Sequence, residues 1–312
     1  MTTLHPFVVG IDISKHHLDL HDLRDGATRR IANTDPAIAK WIATLGEARC
    51  LVVMEATGRY DASLRQALAA ARIAHARVNP ERARHFARAT GRRAKTDAID
   101  ARMLAELGRR LPVRTEPDAS PARLHLAALS RRRDQLVAMR KQERTRRAEE
   151  TDAAIRDDLD VHLAMLDQRI AALDRAITAA MRSDPGLAAR NALLRSAPGI
   201  GPVAATVLIA HLPELGEIDQ RAIAALAGLA PYNNDSGTFR GRRSVRGGRT
   251  RIRQALYMAA LAAARSHTSL GRFHQRLRDA GKPPKVALVA LARKLLVTLN
   301  AMARQQQPFA MT

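Results

Sequence analysis

Between Pro121 and Pro185 the chain contains neither glycine nor proline, the two residues that break helices most readily. Within that stretch Leu159, Leu163, Leu166, Ile170, Leu173, Ile177 and Ala180 recur at spacings of 4, 3, 4, 3, 4 and 3. That is a heptad seam, which a long helix buries only against a partner helix. The earlier half, with Leu129, Leu136 and Met139, is looser and more charged, and the mixed charges from Arg144 to Asp158 mark a bend. The expectation is an antiparallel or intermolecular coiled coil over residues 120–185, with self-association following from the seam's need for a partner. It separates an N-terminal domain, residues 1–119, from a C-terminal one, residues 186–312.

Charge says what such a chain meets. Lysine and arginine exceed aspartate and glutamate by 52 − 30 = 22, far more than solubility requires, which points to a polyanion and first to nucleic acid. The surplus is concentrated at the C-terminal end, where residues 186–312 carry 19 basic and 5 acidic groups. Aromatic residues make up only 3% of the chain, so stacking on bases cannot be the main mode of binding and phosphate contacts must dominate. One cysteine, Cys50, excludes a disulfide framework and any cysteine-based zinc site, and its apolar surroundings mark it as a core residue. The opening residues MTTLHPFVVGIDIS lack a basic segment followed by a long apolar run, and no stretch approaches the ~18 uninterrupted apolar residues of a membrane span. A soluble, cytoplasmic chain with no membrane partner is the expectation.

The first domain reads as β-β-β-α-β-α-β-α. Apolar runs at Phe7–Ile13 and Cys50–Met54 predict buried strands, with an alternating strand at His17–Leu23, a polar-edged one at Ala27–Asn33 and a further one at Ile73–Val78. Helices are predicted over Pro36–Leu45 and Asp61–Ala71, and a basic segment, Arg82–Arg93, leads to a third helix opening at Lys95. Asp12 and Glu55 close two of the apolar strands, the position at which α/β sheets place ligands. On the third helix, Asp97 and Asp100 share an arc of roughly 80° with Leu104, Leu107 and Leu111, so both carboxylates continue a buried stripe. Two readings stand for these four acids. They are hard oxygen ligands for two divalent cations that leave positions open for phosphate, or they are separate turn formers and helix-start acids that favour the helix dipole.

In the last third, LLRSAPGIGPVAATVL (193–208) has the pattern helix, Pro-Gly-Ile-Gly, helix and resembles the helix-hairpin-helix motif of DNA repair and recombination proteins. Gly199, Ile200 and Gly201 would form its turn and bring backbone N–H groups to a phosphate without reading bases. Further on, Arg240, Arg242, Arg243, Arg246, Arg249, Arg251 and Arg253 fall in one acid-free run punctuated by glycines. No Gly-Lys-Ser/Thr follows those glycines, so the run is no Walker loop. Just before it, Ser236 sits in the turn sequence Asn233-Asn234-Asp235-Ser236-Gly237, either as a turn former or as a hydroxyl poised to attack phosphorus. The chain closes with helices predicted over Arg251–His267 and Pro284–Ala303.

Six motifs together resemble one family: GIDISK (10–15), MEATGRY (54–60), KTDAIDARMLA (95–105), PGIGPVAA (198–205), GLAPYNNDSGTFRG (228–241) and AGKPPKVALVALARKLL (280–296). They are similar, over nearly the whole chain, to the DEDD-type insertion-sequence transposases, bridge-RNA-guided serine recombinases of bacterial mobile elements. The resemblance implies an N-terminal RuvC-like domain of RNase H fold, a central coiled coil and a helical transposase domain. It assigns Asp12, Glu55, Asp97 and Asp100 as the carboxylates that hold two Mg²⁺, and Ser236 as the nucleophile; Ser244, which no glycine follows, is the weaker candidate. It also implies donor and target DNA, a noncoding bridge RNA, a homo-oligomer with a site shared between subunits, and action at the bacterial nucleoid. Three other readings of the same residues remain. One is a RuvC-like Holliday-junction endonuclease with water as nucleophile. A second is a nucleotide-binding protein of the actin and sugar-kinase type, whose first phosphate loop GIDISK resembles except that Ile13, Ser14 and Lys15 stand where a glycine is usual. The third is a non-catalytic DNA-architectural role.

Overall fold

The computed structural model describes residues 7–46, 50–56, 58, 60–90, 97–116, 120–232, 235–236, 239–240 and 244–310. They fall into two compact units divided between residues 118 and 119.

The first unit contains β1 (Phe7–Ile13), β2 (His17–Asp22), β3 (Thr28–Ala32), α1 (Asp35–Ala43), β4 (Cys50–Glu55), α2 (Ala62–Ala70), β5 (Ala74–Val78), α3 (Pro80–Ala89) and α4 (Asp97–Arg110). The strands form one mixed sheet in the order β3-β2-β1-β4-β5, with β2 antiparallel to both β1 and β3, and β4 parallel to both β1 and β5. This is the arrangement expected of an RNase H-like domain. Strand alternation gives the sheet two cores. Val9, Ile11, Ile13, Val52 and Met54 pack on Ile38 and Trp41 of α1 and Leu64 and Leu68 of α2. Val8, Leu51 and Val53 pack on the opposite face against Ala83 of α3 and Met103, Leu104 and Leu107 of α4. Cys50 is buried in the first of these cores, and burial pushes its thiol up to about 11, which makes it inert.

The sequence pattern missed α3. The arginines at 82, 84 and 88 hide its short apolar face of Ala83, Phe86 and Ala87. Its start is nevertheless encoded, because the Asn79 side chain accepts from the Glu81 N–H at 2.8 Å and Pro80 occupies the first turn.

Two glycines seat α4 on the sheet. A Cβ at Gly10 would lie 2.0 Å from the Ala101 carbonyl oxygen and 2.4 Å from the Ala105 nitrogen, so the helix backbone rests directly on β1. Gly108 makes the reciprocal approach, where a Cβ would meet Val53 at 2.5 Å and Val8 at 3.0 Å. Helix and strand therefore run in opposite directions, with the start of α4 over the end of β1. Beyond α4 the chain returns to the edge strand, where the Glu116 N–H donates to the His75 carbonyl at 2.7 Å and its carboxylate holds Arg65 and Arg77. Burial alone would raise the Glu116 carboxyl, but the two arginines outweigh it and hold it below the usual range.

The second unit is helical: α5 (Pro121–Glu149), α6 (Ala153–Ser183), α7 (Pro185–Arg195), α8 (Pro202–His211), α9 (Gln220–Leu226), α10 (Thr250–Ala263), α11 (Ser269–Asp279) and α12 (Pro284–Gln305). Four two-residue strands, β6 (Pro231–Tyr232), β7 (Asp235–Ser236), β8 (Phe239–Arg240) and β9 (Ser244–Val245), form an arch between α9 and α10. The long helices α5 and α6 pair antiparallel. Ion pairs Arg133–Asp174, Arg140–Asp167 and Arg147–Asp160 tie them at one-heptad steps along both helices. Leu166, Ile170 and Ile177 of the seam are buried, the first two against Leu136.

Part of the seam is thus packed on the chain's own α5. The α5–α6 hairpin belongs to the same compact unit as the helices that follow it. The base of the hairpin, at Leu126, Ala127, Ile177 and Met181, is buried in the same core as α8, α10 and α12. By length and composition α12 resembles a membrane span, yet Leu291, Leu295 and Leu299 are fully buried in that core.

The glycine contact between β1 and α4 has a direct test. Gly10→Ala is expected to cost at least ~3 kcal/mol, since the clash is with helix backbone and not with a side chain that can turn away. Thermal unfolding followed by circular dichroism reads the loss.

Candidate active site and nucleic-acid interface

Strand alternation and register fix where the N-terminal acids point. Asp12 follows Val8 and Gly10 on the α4 face of β1, and Glu55 follows Leu51 and Val53 on the same face of β4. The strands are parallel with Ile11 opposite Met54, so Asp12 and Glu55 are neighbours one step further on, about 5 Å apart at their backbones. Asp100 immediately precedes Ala101, the residue that rests on Gly10, so it is at the same end of the sheet on the same face. Asp12, Glu55 and Asp100 are all half-buried. Asp97 opens α4 one turn earlier; its side chain lies outside the described residues.

A fifth carboxylate belongs to this face. Asp19 of β2 is directly opposite Asp12 and 5% exposed, and Arg30 of β3 grips it through two hydrogen bonds of 3.0 and 2.9 Å. Sequence reading passed over it, although the alternation Leu18-Asp19-Leu20 already set it against the apolar face. Arg30 matches the charge of Asp19 beside the acidic end of the sheet.

Carboxylate oxygens on one face at neighbouring strand ends suit a hard divalent cation in donor chemistry. Among the described residues, no three His, Cys, Asp or Glu side chains converge into a ready ligand cluster.

In the second unit the Pro-Gly-Ile-Gly turn joins α7 to α8. Gly199 has φ +84°, and a Cβ there would lie 2.2 Å from the Ala259 carbonyl oxygen of α10. Ile200 is buried at 5%. Both residues are thus engaged in seating the turn on the unit's own core, where sequence had them facing a phosphate. Gly201 differs, for it caps α8 with open space around it.

The arch after α9 is built from two nested antiparallel pairs, β6 with β9 and, inside it, β7 with β8, which sets Ser236 opposite Phe239 next to the tip. Arg242 and Arg243 lie outside the described residues, as do the side chains of Ser236 and Arg240. Arg246 is exposed. The remaining three arginines of the run face inward. Arg249 makes a two-pronged pair with Glu214, both bonds 2.6 Å, and donates to the His211 carbonyl at 3.0 Å. Arg251 grips Asp134 of α5 with two donors, and Arg253 donates to the Gly247 carbonyl at 2.6 Å. They anchor the base of the arch. Where the arch leaves and rejoins the helices, a Cβ on Gly248 would lie 2.2 Å from the Gly228 nitrogen, and both residues have positive φ.

Residues 9–149 match the DEDD transposase family model of the IS110 type, and residues 191–275 match the model described as the transposase IS116/IS110/IS902 family. The pilin gene-inverting protein of Moraxella bovis is 28% identical over 96% of this chain and 97% of its own length. An uncharacterized 44.8 kDa protein of insertion element IS116 from Streptomyces clavuligerus is 35% identical over 49% of this chain and 38% of its own. A similar local match, 34% identical over 46% of this chain and 37% of its own, joins it to an uncharacterized 42 kDa protein of insertion element IS900 from Mycobacterium paratuberculosis. The chain belongs to the IS110/IS116/IS902 family of insertion-sequence transposases and is an enzyme of DNA transposition and recombination.

Two outcomes follow from the inward arginines. Arg249→Ala leaves Glu214, 7% exposed at its side chain, as a buried unpaired carboxylate, and is expected to cost about 3 kcal/mol in urea unfolding. Burial, then Arg131, Arg251 and Arg249, lower His211 to about 4. The unfolded chain takes up this proton near pH 6.5 and the folded chain does not. Stability from this group is therefore complete above pH 6.5 and falls as pH drops toward 4, by about 3 kcal/mol in all. His211→Gln is expected to flatten that slope in unfolding measured across the window.

Proposed function

We propose that this transposase cuts and rejoins DNA strands through a covalent serine–DNA intermediate. Asp12, Glu55, Asp97 and Asp100 serve one phosphoryl-transfer centre, and Ser236 is the nucleophile. The observation that carries the reading is the gathering of Asp12, Glu55 and Asp100 on one face at one end of the sheet, with Asp97 opening the same helix. Inversion of a DNA segment, for which the Moraxella relative is named, is one product of such cutting and rejoining.

Two Mg²⁺ ions, when held by those four carboxylates, supply the positive charge that offsets the scissile phosphate and the leaving oxygen. The chain's own part is as follows. The Ser236 Oγ forms a bond to phosphorus as the bond from phosphorus to one strand oxygen breaks, and the serine proton passes through solvent to that leaving oxygen. One phosphoester replaces another, so a new strand end can reverse the step without a nucleotide cofactor. Arg240, Arg242, Arg243 and Arg246 stabilise the added charge on the non-bridging oxygens. Arg249, Arg251 and Arg253 hold the arch that carries the serine.

The remaining parts follow the family resemblance. A noncoding bridge RNA supplies sequence choice for donor and target DNA. The α5–α6 pair acts as a coiled-coil arm that brings copies of the chain together, so that the carboxylates of one subunit meet the serine of another. The α7–α8 turn contacts a phosphate as a helix-hairpin-helix through the open Gly201.

Cleavage of end-labelled element DNA, with Mg²⁺ and RNA transcribed from the element's flanks, tests the proposal. Asp12→Asn and Asp100→Asn are each expected to lower strand cleavage by at least ~10³-fold while the protein stays folded. Ser236→Ala is expected to abolish both cleavage and the protein–DNA adduct. Full cleavage by Ser236→Ala would instead identify water as the nucleophile and favour the junction-resolving reading.

A further inference from the structure

The helical unit holds a cavity that none of this chemistry uses. It opens among α5, α6, α7, α8 and α10 with a volume of about 420 Å³, within the range of roughly 300–1,000 Å³ typical of small-ligand sites. Its floor is apolar, for Ile177, Met181 and Val207 are 7%, 5% and 0% exposed. Val203, 41% exposed in the first turn of α8, stands at its rim.

The polar part of the lining is strongly one-sided. Four arginines reach it, and two are neutralised, Arg133 by Asp174 and Arg251 by Asp134. Arg182 and Arg195 are exposed and have no carboxylate partner among the described residues. Asn191 adds an amide with both donor and acceptor. A shallower groove shares Asp174, Thr178 and Arg182 with the cavity and continues along α6 to Arg175, so an occupant can extend out of it.

An apolar floor beneath two unpaired guanidinium groups fits a ligand with a flat, weakly polar body and charge at its ends. A bare inorganic anion would leave the floor unused, and a base stacked within a duplex cannot reach it. We infer that this cavity takes one unstacked nucleotide of a single-stranded polynucleotide, its base on Ile177, Met181 and Val207 and its flanking phosphates on Arg182 and Arg195. Guanidinium planes also stack on bases, which offsets the lack of an aromatic platform. The inference rests on the nucleic-acid reading above but not on its serine chemistry.

The test measures binding by the full chain without cleavage, so a failed serine mechanism leaves it intact. A labelled oligodeoxynucleotide, the oligoribonucleotide of the same sequence and the corresponding DNA duplex are compared by fluorescence anisotropy. Two variants are used: Arg182→Gln with Arg195→Gln, which removes the charge, and Val203→Trp, which fills the rim without changing charge. Both sets of positions are exposed, and circular dichroism checks that the fold is kept. Each variant is expected to weaken single-strand binding roughly tenfold. The double arginine variant should also reduce the slope of log affinity against log salt by about 1.4, the loss of two phosphate contacts. Loss confined to the DNA or to the RNA strand names the source of the nucleotide, and loss with both means that either strand enters. Unchanged single-strand binding in either variant, or an equal loss with the duplex, would overturn the inference.

Discussion

The approach of α4 to β1 at Gly10 is the contact on which the N-terminal unit depends. Because no side chain intervenes, the helix backbone lies on the strand, and Gly108 allows the same intimacy two turns further along α4. Those two points fix the axial position of the helix as well as its direction. Leu104 and Leu107 then fill the core beneath, each worth about 2 kcal/mol in burial. The consequence for function is positional. A helix set one residue differently along β1 would carry Asp100 away from the ends of β1 and β4, with every strand intact and the acids no longer gathered.

A different economy governs the helical unit, where charge does two kinds of work. Within the arginine-rich stretch the guanidinium groups of Arg249, Arg251 and Arg253 turn inward. The inward set ties the arch to α5 and to the loop after α8, so the basic run partly builds its own support. The α5–α6 pair works similarly: Leu166 and Ile170 pack against Leu136, and the evenly spaced Arg–Asp rungs fix which residues face one another.

Much of this was legible in the sequence because it follows from periodicity. Apolar runs ending in Asp12 and Glu55, the stripe continued by Asp100 and Leu104, and the seam from Leu159 to Ala180 all depend on spacing along one element. What was not legible depends on contacts between elements. Sequence set Gly199 against a phosphate, whereas its neighbour is the carbonyl of Ala259, sixty residues away in the chain. Asp19 escaped notice because its importance comes from lying opposite Asp12, and the partner helix of the seam because nothing in a heptad says whether α5 or a second copy fills it. The helix α3 was hidden by its own arginines, which mask a short apolar face.

The proposal that the strand-end and helix-start carboxylates form one cation site is open to direct measurement. Calorimetric titration of the full chain with Mn²⁺, a spectroscopically convenient relative of Mg²⁺, measures it without DNA, RNA or turnover. Asp12→Asn, Glu55→Gln, Asp97→Asn and Asp100→Asn are each expected to weaken Mn²⁺ binding by at least ~10-fold. Unchanged affinity on substitution of either α4 aspartate, in protein that remains folded, would contradict the proposal.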